Sequence, residues 1–294
     1  MPKIEHAKTK AHDVLRDLKY FHEGDPALEK CIDHLLTMTY QTKGGVHILL
    51  HGQTGTGKEK LARAAHTWMS EQQMGKFIPL NCAAINKDTA VATFFGANKG
   101  AYTGCNMDMI GIFGQAVGPS DTVFLDEIHQ LPESVRASLL RVLGEGKFLP
   151  MGARSELNFK GNVIAASSSN LWNKTKSGEF PHDLYYRLNT GGEVRVPSLK
   201  ERTAEYRSTL IDFGCKNWGI EPFSLDDRLK EQLLDMTALA LPGNIRELES
   251  MIKQLSNYAR FNNGIATPEH LTEILSNKAA DDEGTTVERP SRRK

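Results

Sequence analysis

The segment Gly52-Gln53-Thr54-Gly55-Thr56-Gly57-Lys58 constrains this chain more than any other. It follows a short apolar run at residues 46–50 and opens a helical pattern at 58–71, where Leu61, Ala62, Ala65 and Trp68 fall on one face. A strand, a glycine-rich turn and a helix in that order are the setting in which G-x-x-x-x-G-K holds phosphate. The glycines let backbone N–H groups curl around phosphate oxygens, the helix N-terminus adds partial positive charge, and Lys58 supplies a point charge for the β and γ phosphates. A nucleotide is therefore the expected ligand. Glu59 stands where Ser or Thr commonly touches Mg²⁺, so the ion has to rely more on water and on a second acidic motif.

That motif is present. Residues 122–125 form an apolar run that ends in Asp126-Glu127, two carboxylates at the end of a strand, where ligands of open α/β sheets gather. In-line phosphoryl transfer gives them different work: Asp126 holds Mg²⁺ through water, and Glu127 orients and deprotonates the attacking water. Further strand candidates at 77–80 and 163–166 are separated by helical patterns such as 134–143. The first two-thirds thus reads as an α/β domain, a parallel sheet sandwiched by helices.

Strands are not expected after Pro197. Residues 205–217, 226–240 and 244–261 read as helices of a small all-helical domain, the last entered through Pro242-Gly243. The expected division is a helical extension at 1–22, a nucleotide-binding domain at 23–197, the helical domain at 198–276 and a disordered polar tail at 277–294.

Composition narrows the alternatives. Lys plus Arg and Asp plus Glu balance at 36 each, so no global field advertises direct nucleic-acid binding. Cys31, Cys82, Cys105 and Cys215 form no Cys-x-x-Cys pair, which argues against a zinc site or a disulfide framework and for reduced thiols in the cytoplasm. No stretch approaches the roughly 18 apolar residues of a membrane span.

Five segments in series then narrow the family: the phosphate loop, Asp126-Glu127, Gly100-Ala-Tyr-Thr-Gly-Cys105, Phe180-Pro-His-Asp-Leu-Tyr-Tyr-Arg-Leu188 and Pro242-Gly-Asn-Ile-Arg-Glu-Leu248. Together, over roughly residues 22–276, they resemble the central AAA+ domain of bacterial sigma-54-dependent transcriptional activators, also called enhancer-binding proteins. The resemblance implies an AAA+ P-loop NTPase followed by a helical lid, and Glu59 after the lysine is usual in that family. It implies that Asn81 is the glutamate switch, an amide that holds Glu127 away from the water until the partner is engaged.

Gly100, Ala101, Tyr102, Thr103, Gly104 and Cys105 resemble the GAFTGA loop that touches the sigma factor. Tyr102 keeps the aromatic ring, and Cys105, larger than the usual alanine, is expected to change loop packing. Arg187 matches the arginine finger that enters a neighbouring subunit's site, while Pro181 stands in place of a second arginine. Ser167 and Ser168 take the place of a Thr-Asn first sensor, and Arg246 resembles the second sensor on the lid.

The function implied is ATP hydrolysis, with ATP and Mg²⁺, coupled to remodelling of sigma-54 RNA polymerase holoenzyme and opening of the promoter. A ring of six or seven copies is implied, reaching promoter DNA through that complex. Two other readings stay open: a nucleotide-binding regulatory subunit of a mixed ring, motivated by Pro181 and the serines, and a remodeller of another protein target, motivated by Cys105. Family members often add a signal-receiving domain and a helix-turn-helix; residues 1–22 and 277–294 are too short for either.

Overall fold

The computed structural model describes residues 9, 12–18, 20–39, 45–69, 75–239 and 241–284. The chain divides into two compact units, Met1–Ser198 and Leu199–Lys294.

In the first unit, residues 12–17 are helical, and the chain then delivers Tyr20 into the interior. Helix α1 (Pro26–Thr39) begins at an aspartate and a proline, the pair best suited to an N-terminus: the buried Asp25 Oδ1 accepts from the Leu28 N–H at 2.8 Å. Five strands follow, β1 (His47–His51), β2 (Phe77–Asn81), β3 (Thr122–Asp126), β4 (Asn162–Ser167) and β5 (Gly192–Arg195). All are parallel, in the order β2-β3-β4-β1-β5. The first four coincide with the apolar runs of the sequence. The fifth was not expected, because Val194 is its one apolar side chain.

Side chains alternate across this sheet. Leu49, Val123, Leu125, Val163 and Ala165 share a core with helices α3 (Ala90–Phe95), α4 (Ile112–Gln115), α5 (Glu133–Glu145), α6 (Leu171–Lys176) and α7 (His182–Leu188). The intervening Ile48, Leu50, Phe124, Ile164 and Ala166 are equally buried and face the opposite way, where α2 (Lys58–Met69) packs on β1, β3 and β4. Ala62, Ala64 and Ala65 in α2 are fully buried, so small side chains bring the helix close to the sheet behind the phosphate loop.

The second unit contains α8 (Ala204–Asn217), α9 (Asp227–Leu239), α10 (Asn244–Arg260) and α11 (Pro268–Gly284). Two expectations need correction. The unit is not purely helical, since Ser224–Leu225 pairs in parallel with Ile265–Ala266. The segment from 277 is helical as far as Gly284, because Lys278-Ala279-Ala280 are good helix formers and Lys278 pairs with Glu247 of α10; the rest of the expected tail, 285–294, lies outside the described residues, as does most of the expected extension before residue 12. No helix among the described residues is long and apolar enough to cross a membrane.

Candidate nucleotide site and contact loop

The phosphate loop leaves β1 at Gly52, whose N–H donates to Ser167 O of β4 at 3.2 Å. Gly57 has φ +94°, and a Cβ there would lie 2.4 Å from the Tyr20 ring, so only glycine fits between the ring and the start of α2. The Tyr20 hydroxyl donates to Thr56 O at 3.2 Å, and Thr56 Oγ1 donates to Gln53 O at 2.8 Å. Lys58, only 6% exposed, curls its ammonium over the loop, donating to Gly52 O at 2.7 Å and Gln53 O at 3.0 Å. Gly52, Gln53, Thr54, Gly55, Thr56, Gly57 and Lys58 thus form one turn at a helix N-terminus, the arrangement that receives polyphosphate. Glu59 turns instead to Arg63, 2.8 Å away on the helix surface.

Strand register brings the remaining polar groups to the same edge. Asn81 pairs with Asp126 across β2 and β3, and His51 with Ser167 across β1 and β4. Burial, and then the adjacent charge of Glu127, push the Asp126 carboxyl above its ordinary range. A divalent cation at this carboxylate would offset both effects. Among the described residues no group of three or more His, Cys, Asp or Glu side chains could hold a metal by itself. The carboxylate oxygens of Asp126 are the kind of donor that a hard cation such as Mg²⁺ takes.

Glu127 has φ 49° and ψ 47°, a left-handed conformation that costs a non-glycine residue about 1–2 kcal/mol. Its Oε2 accepts from the Ser168 N–H at 3.0 Å and from the Ser168 hydroxyl at 2.7 Å, and His129 Nδ1 stands 3.3 Å away. No hydrogen bond joins it to Asn81. The Asn81 side chain accepts instead from the Ala83 N–H at 2.9 Å, capping the short turn Cys82–Ala84. A strand-end amide meets its own backbone more readily than a carboxylate one strand away, so this structure does not show the switch contact expected of it.

The loop 100–105 is a closed turn on a narrow stem. Ala97 and Met109 exchange hydrogen bonds of 2.9 and 2.7 Å, and the Gly100 N–H donates to Cys105 O at 2.8 Å. Gly100 and Gly104 have positive φ, which makes the two bends. Thr103 and Gly104 are exposed, whereas Tyr102 folds back, its hydroxyl 3.5 Å from Met109 Sδ. Cys105 is buried with Ala92 and Ala97, its thiol 3.2 Å from Asn98 O. The added sulfur is accommodated inside the stem. Arg187 is exposed at the end of α7, has no carboxylate partner among the described residues, and borders a cleft of about 420 Å³ with Leu140, Gly144 and Tyr186. Arg246 is exposed in the first turn of α10, in the second unit.

Comparison with known proteins decides the family. Residues 22–192, more than half of the chain, match the family described as Sigma-54 interaction domain. The chain belongs to that family.

Among relatives of this sigma-54 family, the DNA-binding transcriptional regulator NtrC of Klebsiella pneumoniae is 37% identical over 218 residues, 73% of this chain and 45% of that protein. The transcriptional regulatory protein XylR of Pseudomonas putida is 36% identical over 242 residues, 81% of this chain and 41% of that protein. The chain therefore spans less than half the length of these relatives. A solved structure of NtrX from Brucella abortus in complex with ADP superposes with a TM-score of 0.72 at 25% identity, covering 90% of this chain and 56% of that one. The fold is that of the AAA+ domains of sigma-54 activators. Two residues of the site escaped the sequence reading of this sigma-54 domain: Tyr20, which precedes every motif, and His129, which carries no motif of its own. An imidazole two residues after a carboxylate pair was the available signal.

Proposed function

We propose that this chain hydrolyses ATP and uses the cycle to remodel sigma-54 RNA polymerase holoenzyme, promoting open-complex formation. The reading is carried by the convergence of Lys58, Asp126 and Glu127 at one sheet edge in a member of the sigma-54 family. The relatives NtrC and XylR, transcriptional regulators by name, and NtrX structures in complex with ADP and with ATP support an adenine nucleotide and a transcriptional target.

In this reading Lys58 and the loop N–H groups would receive the β and γ phosphates, and Asp126 would hold Mg²⁺. When bound, that ion supplies neutralisation of charge on the transferred phosphoryl group. Glu127 takes the proton of the attacking water. Arg187 delivers its charge to the site of a neighbouring copy in a ring of six or seven, and Arg246 couples the helical unit to the nucleotide. The loop 100–105 presents Thr103 to the sigma factor, and promoter DNA is reached through that complex in the cytoplasm.

The purified chain tests this directly. Lys58→Ala should abolish ATP binding, and Glu127→Ala should bind ATP while losing turnover by about 10²–10⁴-fold. Unchanged hydrolysis in either variant removes this assignment of the site. Pro181, which opens α7 in place of an arginine, favours one second reading, a regulatory subunit of a mixed ring. That reading predicts turnover only after a different AAA+ chain is added.

A further inference from the structure

We propose that His129 is a positioning residue for Glu127: with Ser168 it clamps one carboxylate oxygen and holds the side chain on the phosphate-loop side of β3. The inference rests on the reading of Glu127 as the base in ATP hydrolysis. Its basis is a count of protons. The Ser167 hydroxyl gives its single proton to Ser169 O at 2.6 Å, so toward any other group its oxygen can only accept. His129 Nδ1 lies 3.2 Å from that oxygen and 3.3 Å from Glu127 Oε2, which is also an acceptor. Facing two acceptors, Nδ1 carries the ring proton. Oε2 then accepts two hydrogen bonds, from the N–H and the hydroxyl of Ser168, and has the imidazole N–H as a polar neighbour at 3.3 Å. Oε1 has no hydrogen-bond partner among the described residues.

The backbone explains how the imidazole gets there. The left-handed turn at Glu127 reverses the chain into the short helix Ile128–Gln130, which brings the ring back beside the carboxylate, with the His129 side chain 12% exposed. Sheet order gives the clamp its direction. β4 lies between β3 and β1, and β1 leads into the phosphate loop, so a carboxylate fastened to Ser168 at the end of β4 leans toward that loop. Asn81, at the end of β2 on the far side of β3, makes no hydrogen bond to Glu127 in this structure; its Oδ1 accepts from the Ala83 N–H. One oxygen is fixed and the other is left to receive a proton.

The experiment compares ATP turnover and binding of a fluorescent ADP analogue in the unmodified chain and in His129→Asn, His129→Gln and His129→Leu. An asparagine places an amide N–H near the position of Nδ1, whereas a glutamine places one near Nε2. The clamp predicts kcat lower by about 10- to 100-fold in the Leu and Gln variants, with KM and analogue affinity within about twofold. It predicts that the Asn variant recovers most of the loss. Unchanged kcat in the Leu variant overturns the proposal, as does equal impairment of the Asn and Gln variants, which a general packing role would give. A failure of the ATPase reading shows separately: the unmodified chain then binds the analogue without turning over ATP, and the positioning role falls with it.

Discussion

The Asp126 carboxyl is held above its ordinary range by burial and by the charge of Glu127. A carboxyl of this kind keeps its proton to higher pH in the folded chain than in the unfolded one. Its ionisation therefore opposes folding above that window, and the effect is relieved as pH falls through it. Asp126→Asn should accordingly raise the Tm of the nucleotide-free chain at pH 7.5 by about 1–3 °C. The same variant should lose ATP turnover; an unchanged or lower Tm in thermal unfolding contradicts the strained-carboxyl account. Single residues were legible in the sequence where a local motif fixes their chemistry, as for Lys58 and the Asp126-Glu127 pair. Ser168 shows where that stops. Its bond to Glu127 depends on β4 lying beside β3, a pairing between residues 41 positions apart that no local pattern records. Cys105, larger than the usual alanine, fills space among Ala92, Ala97 and Tyr102.

Among the elements, α5 and α7 meet where Arg187 lies along Gly144, and a Cβ on that glycine would stand 2.3 Å from Arg187 Nη1. Gly144→Ala separates helix stability from arginine placement. Removing a helical glycine should stabilise α5 by about 0.5–1 kcal/mol, while the guanidinium is displaced from its present position. The expected outcome is a Tm equal to or above that of the unmodified chain, with ATP turnover at ring-forming concentration lower by at least about tenfold. Unchanged turnover would mean that the position of Arg187 beside α5 does not matter. Elements with a strong apolar period, such as β3, β4 and α2, were legible to within a few residues. β5 was not, because one buried valine between two glycines and an arginine gives no alternation to read. The end of α11 was misjudged for the opposite reason: its polar composition hid a helix tied to α10 by Lys278 and Glu247.

At the scale of the whole molecule, burial lowers the pKa of five histidines among the described residues, His22, His47, His51, His66 and His129, below the ordinary value near 6.5. The folded chain keeps these rings neutral while the unfolded chain takes up protons, so their contribution is fully present above about pH 6.5 and is lost as pH falls. Asp126 moves stability the other way and is outnumbered. Thermal unfolding should therefore give a steady Tm from about pH 8 to 6.5 and a progressive fall toward pH 5.5; a flat profile would remove the histidines from the account. The α/β architecture and its phosphate loop were legible from sequence because strand, loop and helix are contiguous there. The proposed target of the chain rests on the loop 100–105, whose exposed Thr103 is held out on the Ala97–Met109 stem. The most direct test of that claim is capture of sigma-54 by the purified chain with ADP plus aluminium fluoride, which imitates the phosphoryl-transfer transition state, against ADP alone. The account predicts a complex with the mimic only, lost in Thr103→Ala. A chain that hydrolyses ATP yet captures no sigma-54 in either state would contradict it.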